Sequence, residues 1–174
     1  MPLGGQAALS GFDYDDKAAS ILAVFTAANT TTSLTYLGED LSTTVKTVAF
    51  EDPEAIAIRW NDIPALFIRI RDSENEQATM GDAAAASRGR HFKTVRYEIF
   101  GMYKRDGRAQ SSTNLLSRVY DFARNVDATI ANNPTMGNSA LWAHVRRTDF
   151  GDVVVNGDTI KGFRVDLEAR YFYK

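Results

Sequence analysis

The segment Phe163 to Tyr173 constrains the fold more than any other stretch of this chain. Phe163, Val165, Leu167, Ala169 and Tyr171 alternate with Arg164, Asp166, Glu168 and Arg170, the period of two that marks a strand with one face in a core and the other in water. Such a strand requires a sheet and an apolar layer to cover one side of it. Phe172 and Tyr173 follow at its end, so aromatic groups fall on both faces, more than one core face can take. That surplus predicts contact with another subunit through the sheet edge.

The rest of the chain supplies the cover and the partners. Asp13, Asp15 and Asp16 precede Ala18, Ala19, Ile21, Leu22, Phe25 and Ala28, acidic capping followed by apolar residues at helical spacing. A first helix is expected from Asp15 to Ala28, ended by Asn29 and the threonines after it, whose short polar side chains compete for backbone hydrogen bonds. Strand-like pieces follow at Thr44 to Phe50, Ala55 to Trp60 and Ala65 to Arg71. From Asp72 to Arg90 the composition turns polar, with Glu74, Glu76, Met80, Arg88 and Arg90 set among Asn, Gln, Ser and Gly. This predicts a long mobile surface loop over 72–90, available to a partner. Alternation resumes from Phe92 to Lys104, antiparallel to Ala65 to Arg71. Ser111-Ser112-Thr113 opens a second helix, carrying a stripe of Leu115, Val119, Phe122, Val126 and Ile130 to Ala131. Strands are then expected at Leu141 to Thr148, Val153 to Asn156 and Phe163 to Tyr173, with Asn156-Gly157 as a tight hairpin turn.

The expected fold class is α+β: a mainly antiparallel sheet packed with two amphipathic helices, in a single domain over residues 1–174. The core should contain Leu22, Phe25, Ile68, Ile99, Val119, Phe122, Val126, Val165 and Leu167. At this length about 70% of the unfolded surface is buried on folding, which makes staples unnecessary. The absence of cysteine excludes disulfide scaffolds, thiolate metal sites and cysteine nucleophiles. A net charge of -2 argues against a dedicated nucleic-acid binder. Met1 to Ser10 has neither the basic start nor the apolar run of a signal peptide, and no stretch reaches the roughly 18 apolar residues of a membrane span. The expectation is a soluble protein of the cytoplasm.

Chemistry is sparsely signalled. His91 and His144 are the only histidines, and the favoured reading makes them strand-surface residues. Asp149, Asp152 and Asp158 could chelate a hard cation, although Asp in a turn-rich stretch more commonly caps its own backbone. Asp166 and Glu168 share a strand face, as a general acid and base would; Arg164 and Arg170 on that face favour ion pairing instead. Arg88, Arg90, His91 and Lys93 beside Phe92 form a basic cluster read as a solvated loop base. No phosphate loop, dinucleotide fingerprint or nucleophile elbow is present. Neither a catalytic residue nor a cofactor or metal site is expected.

An N-terminal helix, a strand entered through Ile63-Pro64-Ala65-Leu66-Phe67-Ile68, a long strand ending at Lys104-Arg105-Asp106, an amphipathic helix, a Trp-bearing strand and the closing Gly162 to Tyr171 together resemble the tail terminator proteins of long-tailed bacteriophages. The resemblance covers most of the chain from Asp15 onward. It implies a structural virion protein and not an enzyme: a subunit of a sixfold ring that caps the tail tube, stops its polymerisation and joins the tail to the head connector. Tube and connector proteins would be its partners, DNA would pass through the ring without specific binding, and the ring would sit in the tail or neck after assembly in the bacterial cytoplasm. Arg164, Asp166, Glu168, Arg170, Phe172 and Tyr173 are the expected subunit or tube interface. The insert from Glu74 to Arg90 departs from the pattern. Another neck or tail component, such as a connector or tube protein, is the nearest alternative, and a small cytoplasmic regulatory binding protein a further one.

Overall fold

The computed structural model describes residues 12–32, 45–52, 58–59, 62–77, 91–103, 112–155 and 158–173. The chain runs α1 (Tyr14–Thr32), β1 (Thr47–Phe50), β2 (Ala65–Gln77), β3 (His91–Tyr103), α2 (Ser112–Asn132), β4 (Trp142–Val155) and β5 (Asp158–Tyr173). The five strands form one sheet in the order β1-β2-β3-β5-β4, antiparallel throughout except for β1 beside β2. The class is α+β.

Both helices lie on the same side of the sheet. Ile21 and Phe25 of α1 and Val119, Phe122, Val126 and Ile130 of α2 meet Leu66, Ile68, Val95, Tyr97, Ile99, Val165, Leu167 and Tyr171 in one core. Every residue expected in the core is buried there except Leu22, which is half-buried at its margin. The Asp13 carboxylate accepts the Asp16 backbone N–H at 3.0 Å and so satisfies one of the orphan donors at the start of α1. That helix does not stop at Ala28. Asn29 continues it while its side-chain amide exchanges two hydrogen bonds with the backbone of Val45, at 2.9 and 3.1 Å, and the Thr30 hydroxyl donates back to the Thr26 carbonyl at 2.9 Å. The polar side chains thus find partners that leave the helical ladder intact.

Two further expectations change. Residues Asp72 to Gln77 are not loop: they extend β2 and pair with His91 to Arg96. Their polar composition hid the strand because its face is held by ion pairs rather than by apolar burial. The remainder of the expected loop, with Met80, Arg88 and Arg90, lies outside the described residues. The stretch Asp149 to Asp152, read as turn-rich, is the middle of a continuous β4, and Asp158 already belongs to β5. Val155 pairs with Asp158; the expected turn Asn156-Gly157 lies outside the described residues. Most of Ala55 to Trp60 is also outside them; Ile58 and Arg59 carry no strand.

Two strands each accommodate one extra residue. The partners of Tyr97 and Arg96 are Ile70 and Asp72, which leaves Arg71 as a bulge in β2; the partners of Leu167 and Asp166 are Val145 and Arg147, which leaves Arg146 as a bulge in β4. Because side chains alternate strictly along a strand, one extra residue reverses the facing of everything beyond it. Ile70 therefore faces the helices, yet Asp72, Glu74 and Glu76 face away from them, beside Arg96, Thr94 and Phe92.

Candidate interaction surface

The side of the sheet opposite α1 and α2 carries a lattice of ion pairs. Arg69 donates to Glu98 at 2.8 Å and to Asp52 at 2.9 Å. Arg164 reaches Asp149 at 2.9 Å, and Glu98 and Asp166 at 3.5 Å. Arg96 holds Asp72 at 2.8 Å, Glu168 at 3.0 Å and Glu74 at 3.4 Å, while Arg146 reaches Glu168 at 2.6 Å. Arg170 pairs with Glu76 and lies 4.6 Å from the Phe92 ring centroid. Burial raises the Glu168 carboxyl pKa, but hydrogen bonds from Arg96 and Arg146 outweigh it and hold the group below its ordinary value. A carboxylate kept ionised in this way is a poor general acid. Glu168 thus serves as an anchor for guanidinium groups, while Asp166 lies 3.5 Å from Arg164 and 3.8 Å from Arg71.

Both bulges line one hollow of about 410 Å³, walled by Arg71, Arg96, Arg146, Arg147 and Asp166. Arg71 is its most loosely held cation, 3.6 Å from Asp72 and 3.8 Å from Asp166. At one end of the lattice Phe67, Met102 and Ile160 form a second apolar cluster under Ile58 and Ile63. At the other end Phe92 and Phe172 meet edge to face at 5.9 Å.

The structure brings Arg164, Asp166, Glu168 and Arg170 onto this one face, engaged within the chain, together with Glu74 and Glu76 from β2. Of the two terminal aromatic residues, Phe172 stays exposed on the open face, whereas Tyr173 turns to the helix side and packs on Phe12 at 5.6 Å. His144 is exposed on β4, 4.9 Å from the Trp142 ring. His91 lies in β3 opposite Tyr173. Asp149 and Asp152 are each held by cations, Arg147 and Arg164 for the first and Lys161 for the second. Among the described residues no group of three His, Asp or Glu side chains converges to hold a metal ion.

Sequence reasoning missed the far edge of the sheet. β4 has β5 on one side and, among the described residues, no strand on the other. Beside that edge Leu116 and Tyr120 of α2 and Phe150 and Val154 of β4 are all exposed, Val154 by 69%. Tyr120 and Phe150 stack edge to face at 4.8 Å. Together they make an apolar corner along an open strand. The available signal was Tyr120, a large aromatic residue off the apolar stripe of α2; Phe150 was hidden by its Asp and Gly neighbours, which resemble a turn.

No helix among the described residues is long and apolar enough to cross a membrane. The chain matches no family model and no curated protein.

Proposed function

We propose that the chain is a structural subunit of a bacteriophage tail, of the terminator type: a ring that caps the tail tube, stops its growth and joins it to the head connector. The observation that carries this reading is the β4 edge, which has no strand beside it among the described residues, with the exposed Leu116, Tyr120, Phe150 and Val154 on α2 and β4. An uncovered strand with flanking apolar groups is an aggregation hazard unless another subunit covers it. The chemistry of the open face agrees. Most of its guanidinium groups are paired with carboxylates of the same face, so a passing DNA duplex would meet few uncommitted cations.

Light scattering on the purified chain, followed by electron microscopy of the large species, tests the reading. Closed rings of one size that arrest polymerisation of the tube protein are expected. Long tubes from the chain alone would indicate a tube protein instead, and a monomer that leaves tube length unaltered would overturn the proposal in favour of a regulatory binding protein. Arg170→Glu combined with Phe172→Ala should weaken contact with the tube or connector and leave the subunit folded.

A further inference from the structure

The two edges of the sheet fit each other. Following the strand directions across the order β1-β2-β3-β5-β4, β1 and β4 run in opposite senses. A second copy placed beside the first, with its helices on the same side, therefore brings its β1 antiparallel to the open edge of β4. Among the described residues β1 likewise has a strand on one side only, and all four of its residues are half-buried, as on an edge.

One register satisfies facing and charge together. Setting Val48 of the next copy opposite Phe150 places Thr47 to Phe50 along Gly151 to Thr148. Val48 faces the helices, since it pairs with Leu66 and packs on the main core. Phe150 also faces the helices, where it meets Tyr120. Ala49 faces the open side, beside Phe67, and so does its opposite number Asp149, beside Arg164. Beyond the ends of the four-residue strand, Glu51 of the next copy falls opposite Arg147 and Lys46 opposite Asp152. The match at both ends is possible because Lys46 to Glu51 and Arg147 to Asp152 span the same number of residues. Lys46, Glu51, Arg147 and Asp152 are all exposed. The Arg146 bulge ends the regular part of β4 one residue beyond Arg147.

We infer that the partner of the β4 edge is the β1 edge of a second copy of this chain, joined head to tail in this register into a continuous sheet. Main-chain hydrogen bonds and cover for Phe150 supply affinity; the terminal charge pairs, which are individually weak at a surface, select the register. The contact is heterologous, so successive copies generate a ring when the rotation between them closes. Its closure rests on the ring reading above; the pairing itself does not.

The absence of native cysteine makes a direct test available. Directly opposed residues of an antiparallel pair lie within disulfide range, roughly 4.5–5.5 Å between Cα atoms. Full-length chain carrying Val48→Cys with Phe150→Cys, and separately Ala49→Cys with Asp149→Cys, should give on mild oxidation a ladder of dimers, trimers and higher species that returns to monomer on reduction. Val48→Cys with Asp149→Cys, whose side chains point to opposite faces, should give none. The second pair keeps the test available if the first fails to fold. Equal ladders in all three variants, or no ladder in either matched pair, would overturn the pairing; so would a dimer formed by Phe150→Cys alone, which would signal a twofold β4 to β4 contact. Glu51→Arg or Arg147→Glu alone should weaken self-association, and the double exchange should restore it. Matched ladders from a chain that fails to cap tubes would uphold the pairing and refute the terminator reading, whereas capped tubes without ladders would do the reverse.

Discussion

Gly101 lies directly beneath the ring of Phe163. The two residues are partners across β3 and β5, and a Cβ on residue 101 would lie only 2.0 Å from the Cζ atom at the tip of the ring. The missing side chain lets the ring lie across the sheet and meet Phe122 of α2 edge to face, at 5.0 Å and 88°. A glycine within a strand commonly marks such a close approach. Gly101→Ala is expected to push the ring off the sheet at a cost of about 1–3 kcal/mol, the usual range for overpacking. Urea denaturation measures it, and an unchanged midpoint would mean the ring has room to move.

Phe122 is the helical half of that contact and is fully buried. Phe122→Ala should lose about 3 kcal/mol or more, as truncated buried aromatics do. Calorimetry alongside Gly101→Ala would also show coupling: residues that share the Phe163 ring should not give additive losses.

Acid should destabilise the fold through the open face. The folded Glu168 carboxyl titrates below the unfolded reference of 4.5, because Arg96 and Arg146 overcome the opposing effect of its burial. The stability this lends is complete above pH 4.5 and is lost as pH falls through the folded value. Urea midpoints between pH 7 and 3 should fall in that window, and Glu168→Gln should flatten part of the slope. A slope identical to the parent's would remove Glu168 from the account.

Asp127 should behave with the opposite sign. Burial raises its pKa against a single hydrogen bond from Thr148, and its Oδ1 is buried without a hydrogen-bond partner. The stability it contributes is present below the unfolded value of 3.8 and is lost as pH rises through the higher folded value. Asp127→Asn is therefore expected to raise the melting temperature at pH 7 and to change it little at pH 3. A fall at pH 7 would show that the charge has a role in the folded state.

The legible parts of this fold were those in which burial wrote the pattern. Phe163 to Tyr171 alternates because one face meets the helices, and Val119, Phe122 and Val126 recur because α2 lies on that same core. Residues Asp72 to Gln77 were illegible because their strand is held by Arg96 and Arg170 from neighbouring strands, and no periodicity within a segment reveals partners elsewhere in the chain. Phe150 was missed for a related reason. An exposed aromatic residue between Asp149 and Gly151 gives no alternation to read, and its relation to Tyr120 exists only once α2 crosses β4. The charged residues of β5 were found as a set, but their partners on β2, β3 and β4 depend on register.

The extra residue at Arg71 has a consequence for how this sequence can change. It works as a phase shifter: β2 obeys the helix core up to Ile70 and the arginine lattice from Asp72, and the two halves need not agree on parity. Substitution at 71 leaves that arrangement in place. Drawing Arg71 into the ladder opposite Arg96 would carry Asp72, Glu74 and Glu76 round to the side where Tyr14 bonds Ser73 and Lys93 lies under Phe12 and Tyr14, stranding their charges against aromatic rings, whereas deletion of residue 71 would leave Ile70 and Asp72 in plain alternation on the faces they already occupy. Losing the bulge while keeping the residue is thus costlier than any exchange of its side chain, and either half of the strand can be rewritten so long as the residue between them, where present, stays out of the ladder.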